Sequence, residues 1–285
     1  MPIDKVHVRK ELKRFKLGDY EDLVLESLEP AVRIFTEKPA KKPLPAGTSK
    51  FGGEPDLPSP DAWPIHSSGR PMHFLGQICL SKLPAKHLGS TALPQQGWLW
   101  FWYDKLGQWF EDNTRLPASS RAESFCVTFE ADPKAKLERC AFPEFPEPKI
   151  PKAKKLRSYE PPRFTADPQT PIRFEAITTI ANSALQQLFK KAERDDPDNG
   201  WERTHAFYQA IHLEKKGQPI HRLLGPYLND GTPPKKPWRL LALLDSDYKH
   251  LGWMWGDGGE AQFWIREGDL AKRNFSRIRP ATDSA

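Results

Sequence analysis

The chain has 285 residues, of which 38% are hydrophobic and 28% charged, a composition typical of a water-soluble globular protein. Its 29 prolines disfavour an all-helical or doubly wound architecture, because proline interrupts helix interiors and central strands. Its ten tryptophans instead favour a β-rich body.

The net charge is +6 and the pI is near 9.1, which is compatible with three anionic partners, namely nucleic acid, a membrane surface or an acidic protein, and also with ordinary solubility. The three cysteines are widely spaced and match neither a disulfide framework nor a zinc site. The sequence contains no signal-peptide core and no run of apolar residues that would span a bilayer. We therefore expect a cytoplasmic protein without a membrane partner.

The first part of the chain predicts a helical segment followed by strands. Apolar residues at helical spacing within residues 4–30 predict an N-terminal helical segment over residues 1–30. A long loop rich in Gly and Pro follows the first predicted strand. Strands are predicted, in chain order, at residues 31–35, 72–80, 97–104 and 121–131.

The second part begins with a connection, residues 133–171, that is rich in Pro and Lys. Its basic run, residues 149–157, is interpreted either as a solvated linker or as a phosphate-binding arm. Residues 279–285 are expected to form a tail. Between the connection and the tail, helices are predicted at residues 173–194 and 200–217, with a short helix near Asp269. The internal resemblance described next adds a buried strand within residues 239–246.

Three short stretches of the first half resemble stretches of the second half in the same order. The resemblance is either chance or the trace of two related halves, at about 31–132 and 172–278, packed around a shared core. We therefore predict an α+β, mainly β fold with roll-like antiparallel sheets, two pseudo-repeated halves and peripheral helices. The paired stretches are 49–55 with 221–226, 73–80 with 239–246, and 97–104 with 258–265, at offsets of 172, 166 and 162 residues.

The stretch "LDSDYKHLGWMWGDGGEAQFWI", residues 244–265, concentrates acidic, aromatic and glycine residues. Glycines on both sides of Asp257 allow positive φ, which predicts a hairpin turn between "GWMW" and "EAQFW". Asp257 is itself a turn-forming residue. Backbone conformation alone therefore explains these residues. A role for Asp257 in binding a ligand or partner is the alternative.

Asp245 and Asp247 would face the same side of an extended segment. If the turn brings Asp257 close, the three carboxylates could bind Ca²⁺ or Mg²⁺, and otherwise they cap backbone N–H groups. His221 is either a hydrogen-bonded structural residue or the partner of a carboxylate in acid–base chemistry. Gln77 lies in an apolar strand, so its amide either joins a buried network or contacts a ligand.

The tryptophans and neighbouring aromatic residues are numerous enough to occupy both faces of the strand at residues 97–104, "GWLWFWYD". One face is then either covered by a helix or exposed as a binding surface. The candidate contact residues of such a ligand or partner site are Trp63, Gln77, Trp100, Trp102, His221, Trp255 and Asp257.

Several motifs together resemble the YwqG-like family of bacterial proteins over about residues 31–278. They are "SKFGGEPDLP", "PMHFLGQICLSKLP", "LPQQGWLWFW", "HRLLG", "LLALLDSD", "WGDGGEAQFWI" and "GDLAKRNF". The resemblance implies one mainly β, roll-like domain with peripheral helices and no agreed biochemical activity. Some members of that family are similar to genes found beside secreted toxins and their immunity proteins, which implies a binding role. Leu243, where the family often has Gln, and the long basic insert depart from the family pattern.

Three functional hypotheses follow. The first is a protein-binding protein of the immunity or antitoxin type, whose partner is a protein such as a toxin, with no catalytic residue and no cofactor. The second is a metal-dependent or acid–base hydrolase that uses Asp245, Asp247, Asp257 and His221. The third is nucleic-acid binding through the basic insert.

Overall fold

A computed structural model describes residues 5–67, 69–89, 91–105, 124–144, 167–212, 217–227 and 237–283. The basic run at 149–157 lies outside these residues. Within the described part, the helices are α1 Lys5–Arg14, α2 Glu21–Leu25, α3 Ala85–Leu88, α4 Asn182–Asp195, α5 Gly200–Ile211 and α6 Glu267–Ala271. The strands are β1 Leu28–Thr36, β2 Lys50–Phe51, β3 Asp56–Leu57, β4 His73–Cys79, β5 Trp98–Tyr103, β6 Phe125–Glu130, β7 Glu138–Arg139, β8 Thr170–Ile180, β9 His221–Leu223, β10 Trp238–Asp245, β11 Glu260–Arg266 and β12 Ile278–Asp283.

Ten of these strands form one sheet in the order β12-β11-β10-β9-β1-β8-β2-β4-β5-β6, and every neighbouring pair is antiparallel. The edge strands β6 and β12 approach each other, so the sheet is nearly closed into a barrel. The prediction of a mainly β fold with antiparallel strands and a few peripheral helices is confirmed. The remaining strands, β3 and β7, pair with each other outside the barrel.

The alternating strand directions place successive connections at opposite ends of the barrel. Strands β4 and β10 are separated by five antiparallel steps in the sheet, so they run in opposite directions. The connection that follows β4 and the connection that follows β10 therefore lie at opposite ends. Both contribute buried side chains to the same apolar core inside the barrel.

Strand β5 is buried on both of its faces, which explains why it is aromatic at nearly every position. Leu99 and Phe101 face the core of the barrel. Trp98, Trp100 and Trp102 face outward into a second apolar cluster. This outer face is covered by the β3–β7 pair and nearby loops, with Leu57 and Cys140 among the contacts, so the predicted helical cover is wrong.

The helix predicted over 173–194 is wrong in its first half. Residues Thr170–Ile180 form strand β8, which pairs with β1 from Leu28↔Ile180 to Thr36↔Ile172, and helix α4 begins only at Asn182. The β-branched run at 177–180 favours a strand, and its apolar spacing imitates a helical stripe. The helix predicted over 200–217 ends at Ile211.

The boundaries predicted for the two ends of the chain also differ from the structure. Residues 279–283 of the expected tail belong to strand β12, which pairs with β11 and so extends the sheet by one strand. At the other end, helices α1 and α2 pack with α4 and α5 in a separate apolar cluster, and β1 begins at Leu28 rather than after the helical segment. That cluster rests on Leu28 and Ile180, at the end of the barrel where β1 begins.

Candidate functional site

The connection between β10 and β11, residues 246–259, closes one end of the barrel with its aromatic side chains. Trp253 is 5% exposed and Trp255 7% exposed, and both belong to the core inside the barrel. The Trp253 ring lies 5.4 Å from the ring of Phe51, and the Trp255 ring lies 5.2 Å from that of Tyr103. These tryptophans therefore anchor the connection and are not a free aromatic surface.

The predicted turn around Asp257 is present, but the predicted hairpin is wrong. The backbone N–H of Gly259 donates to the carbonyl of Trp255 at 2.7 Å, and Asp257 is exposed at the tip of the turn. Residues 252–255, all of them described, form no strand, and β11 pairs with β10 instead. Since Trp253 and Trp255 point into the core, that segment bends inward and does not run beside β11.

Asp247 is the centre of a polar cluster at the base of this connection. Its carboxylate accepts hydrogen bonds from Thr36 Oγ1 at 2.7 Å and from His250 at the backbone N–H, 3.0 Å, and at Nδ1, 2.9 Å. His221 Nε2 lies 3.6 Å from Asp247 Oδ2, a separation longer than a hydrogen bond. Burial alone would raise the pKa of Asp247, but these contacts outweigh it and lower the pKa to about 2.

His221 is fully buried beside Asp247 and is held as a neutral ring. Its Nδ1 accepts a hydrogen bond from the backbone N–H of Asp245 at 3.1 Å, so the ring proton is on Nε2 and faces Asp247. The ring lies 5.2 Å from that of Phe51 and 6.1 Å from that of Trp253. Burial lowers the pKa of His221 because the charged ring would lose its hydration.

Asp245 and Asp247 serve different partners, and Asp257 does not join them. Asp245 accepts hydrogen bonds from the backbone N–H groups of Ile220 at 2.6 Å and Ser246 at 2.7 Å, and burial raises its pKa. In the described part of the chain, no three His, Cys, Asp or Glu side chains form a group that could hold a metal ion. The geometry therefore gives the predicted Ca²⁺ or Mg²⁺ site no support, and the alternative of backbone capping describes Asp245 well.

A second acidic residue, Asp167, ties the connection to the neighbouring strands. Its Oδ2 lies 2.9 Å from His73 Nε2 and accepts a hydrogen bond from Trp253 Nε1 at 2.8 Å. Burial would raise the pKa of Asp167, but the contacts with His73, Lys105 and Trp253 lower it. Asp167, through Trp253, and Asp247, through Thr36, therefore both fix the position of the connection.

Sequence reasoning missed several members of this site. Thr36, His73 and Asp167 are far apart in the chain, and only the sheet order brings them to one end of the barrel. The contact of His250 could have been predicted, because His250 follows Asp247 by three residues in "DYKH". At that spacing an aspartate in a turn meets the next polar side chain.

The other predicted contact residues lie elsewhere and are buried. The indole N–H of Trp63 donates to the carbonyl of Met72 at 2.8 Å. That of Trp100 donates to the carbonyl of Asp56 at 3.0 Å, and that of Trp102 donates to Thr128 Oγ1 at 2.9 Å. Their rings fill the cluster under the β3–β7 pair. They therefore stabilise the fold of the first half and do not line the end of the barrel.

Gln77 belongs to a buried polar network, which was one of the two alternatives predicted for its amide. Its amide donates to Asp56 Oδ2 at 2.8 Å and accepts from the Asp56 N–H at 2.8 Å. The same carboxylate contacts Lys50 Nζ at 3.1 Å and Arg139 Nε at 2.9 Å. Burial would raise the pKa of Asp56, but Arg139, Lys50 and Gln77 lower it, so the network holds Asp56 in its ionised form.

The outer surface of the connection carries two exposed hydrophobic side chains beside the exposed Lys249 and Asp257. Tyr248 is 75% exposed and Met254 is 61% exposed. His250 lies on the same connection and is partly exposed. With Nδ1 bound to Asp247, its Nε2 makes no hydrogen bond to any described residue.

Comparison with known proteins finds one family match. A family model described as a domain of unknown function, DUF1963, matches residues 49–283. A comparison with curated proteins finds no match. None of the helices in the described ranges has the length and apolar character needed to cross a membrane.

Proposed function

The chain belongs to this family of domains of unknown function, DUF1963, and on that premise we propose that it is a binding protein that recognises a protein partner through the connection at residues 246–259. The observation that carries the proposal is the exposure of Tyr248 and Met254 on a segment that Leu251, Trp253 and Trp255 anchor in the core. We call the side chains of Tyr248, His250 and Met254 the outer face of the connection.

The outer face has the physical character of a binding hot spot. Tyrosine supplies a large contact area with a polar tip, and methionine adapts its shape to a partner. Since Trp253, Trp255 and Asp247 already hold the backbone, little conformational entropy would be lost on binding. A surface built in this way fits recognition better than turnover.

We further assign the chain to the YwqG-like group, on the motifs quoted above. That assignment favours a toxin as the partner and recognition of the immunity type, and we place the protein in the cytoplasm. Three free cysteines, at positions 79, 126 and 140, support a reducing compartment.

The outer face is tested by comparing two double variants as bait in lysate of the native cell. Tyr248→Ala with Met254→Ala removes the proposed contacts, whereas Ile65→Ala with Trp201→Ala is the matched control, because those residues are 55% and 51% exposed elsewhere. Each captured protein is then purified and titrated against all three baits. We expect one partner whose affinity falls at least about tenfold with the first variant and stays constant with the control.

Two results would contradict this proposal. One is a partner that binds both double variants as well as it binds the wild type. The other is a partner whose binding is lost only with the control, which would move the interface away from the connection.

A second candidate function is acid–base hydrolysis, and one observation favours it. His250 donates from Nδ1 to Asp247 at 2.9 Å, so the neutral ring has its Nε2 lone pair available to accept a proton from water. The hydrolase hypothesis named Asp257 beside Asp247. In the structure the side chain beside Asp247 that reaches the surface is His250. Hydrolysis of a panel of activated esters should then be lost in His250→Gln and retained in Tyr248→Ala, and equal residual rates in both would reject the idea.

Nucleic-acid binding through the basic insert stays a prediction, because residues 149–157 lie outside the described part of the chain. Its test is the salt dependence of binding to a short duplex. An affinity that does not fall between low and moderate salt would reject it.

We also propose that the two halves of the barrel are pseudo-repeats, with β2, β4 and β5 matched by β9, β10 and β11. The pairings support this at the offsets read from the sequence: Phe51↔Gly76 corresponds to Leu223↔Ala242, and Phe74↔Trp102 to Leu240↔Trp264. Each register shift falls at an equivalent residue, Leu75 in β4 and Leu241 in β10.

The backbone next to these shifts supports the same correspondence. The N–H of Gly52 donates to Leu75 O at 2.8 Å, and the N–H of Leu224 donates to Leu241 O at 3.0 Å. The φ angles of these two donors are 63° and 62°. Superposing the backbone of one half on that of the other should pair residues at the same offsets. A better superposition at other offsets would reject the repeat.

A further inference from the structure

Helix α1 presents a basic face that the proposed function does not use. Its inner side is apolar, with Val8 and Leu12 buried against the other helices. Its outer side carries lysines with exposed side chains, and one more lysine follows the helix. These four lysines are Lys5, Lys10, Lys13 and Lys16, and we call them with Val6 the α1 face.

The two arginines of α1 are already engaged. Arg9 Nε donates to Glu21 at 2.8 Å, and Arg14 Nη1 donates to Glu11 at 3.0 Å. The four lysines of the α1 face form no ion pair within the described residues. The positive charge that remains available is therefore made entirely of ammonium groups.

An apolar side chain lies among these charges. Val6 is 76% exposed, and it lies on the same side of the helix as Lys10 and Lys13, four and seven residues further on. The helix has 10 residues and is thus about 15 Å long. The α1 face is a flat strip of flexible positive charge with one exposed valine near its beginning.

We propose that the α1 face binds an anionic lipid membrane. Lysines interact with a diffuse layer of negative headgroups without a fixed geometry, and an exposed valine adds contact with the acyl boundary. Nucleic acid is less favoured because each α1 guanidinium already contacts a carboxylate, Glu21 or Glu11, and would have to give up that contact to clasp a phosphate with both sides of its fork. This site is separate from the outer face of the connection and goes beyond partner recognition.

Binding through this face is peripheral and reversible. The apolar side of α1 is already packed against the other helices, so the helix lies on the membrane surface and does not insert. The expectation of no membrane partner came from the lack of a spanning segment, and a surface contact of this kind does not need one.

Sedimentation with lipid vesicles tests the proposal on the full chain. Vesicles of pure phosphatidylcholine are compared with vesicles that also contain roughly 30% phosphatidylglycerol, at low and moderate salt. We expect binding only to the anionic vesicles, weakened by salt. Lys10→Glu with Lys13→Glu should reduce the partition coefficient by about thirty-fold, and Val6→Ser by about threefold.

The matched control is Lys134→Glu with Lys136→Glu, which changes the net charge equally on an exposed loop. The control should bind as the wild type does, and unchanged thermal unfolding should confirm that all variants are folded. Equal loss in both double variants would show a nonspecific charge effect and overturn the proposal. A lack of binding to anionic vesicles would also overturn the proposal. The same holds if the full chain binds duplex DNA through the α1 face more tightly than it binds the vesicles.

Discussion

The two connections that close the barrel, residues 80–97 after β4 and 246–259 after β10, are built from different chemistry. The first contributes four leucines to the core, at positions 80, 83, 88 and 93. The second contributes Leu251, Trp253 and Trp255, and it also holds Asp247 against two histidines. The first connection thus contributes apolar packing, whereas the second adds an ionisable cluster to its packing.

The largest effect should come from the aromatic anchor. Trp253→Ala removes a buried ring and a hydrogen bond to Asp167, so we expect a loss of about 4 kcal/mol in the free energy of unfolding. Leu83→Ala in the other connection should lose about 3 kcal/mol by packing alone. Urea denaturation measures both. A loss below about 1 kcal/mol for Trp253→Ala would show that the tryptophan is not the anchor.

The next effect concerns the charge of Asp247. Its pKa is about 2 in the folded protein and 3.8 in the unfolded chain, so its ionised form stabilises the fold by about 2 kcal/mol. This stability is present above pH 3.8 and is lost as the pH falls through 2. Asp247→Asn should therefore be destabilised by about that amount at pH 7.

Asp245→Asn is the matched control for this prediction. Burial raises the pKa of Asp245, so its charge does not stabilise the fold, and its substitution should have the smaller effect. Unfolding free energies measured across pH decide the question. Equal losses in the two variants would mean that only hydrogen bonds, and not the charge of Asp247, set the stability of this end.

A smaller effect is expected from the buried histidine. The pKa of His221 is lowered below 6.5 in the folded protein, so the unfolded chain binds more protons and the fold loses stability as the pH falls below 6.5. His212 contributes in the same direction, because burial lowers its pKa as well. His221→Gln should flatten the pH dependence without abolishing it. An unchanged slope would show that His221 is not neutral in the fold.

The smallest effect on stability should come from Tyr248→Ala. The side chain is 75% exposed, so its removal should change the free energy of unfolding by less than about 0.5 kcal/mol. Thermal unfolding measures this change. A clear loss of stability would place Tyr248 in the fold, and its effect on partner binding would then lose its meaning.

These two ends also show what the sequence can and cannot predict. Strands β4, β5, β10 and β11 follow from continuous apolar runs, and the exposed turn at Asp257 follows from its flanking glycines. The offsets of the proposed repeat come from local sequence motifs, and they stay a prediction. The cluster at Asp247 could not, since Thr36 and His221 reach it only through the order of β1, β9 and β10 in the sheet.

The wrong predictions concern elements whose pairing partners lie far away in the chain. Phe174, Ile177 and Ile180 repeat every three residues, and this spacing hid a strand whose partner, β1, lies about 140 residues earlier in the chain. The tryptophans of β5 predicted an exposed or helix-covered face, because short strands such as β3 and β7 leave little signal in a sequence. Long-range pairing, more than residue preference, decided both cases.

Strand β1 runs between the region of the α1 face and the region of the outer face of the connection, and its length sets the distance between them. Its first residue, Leu28, rests in the helical cluster, and its last residue, Thr36, holds Asp247, so the strand spans about 26 Å from one end of the barrel to the other. Tyr248 and Met254 thus belong to the end of the barrel away from the helical cluster that contains α1. Membrane and partner would not compete, and the protein could act as a bridge that holds its target close to the lipid surface.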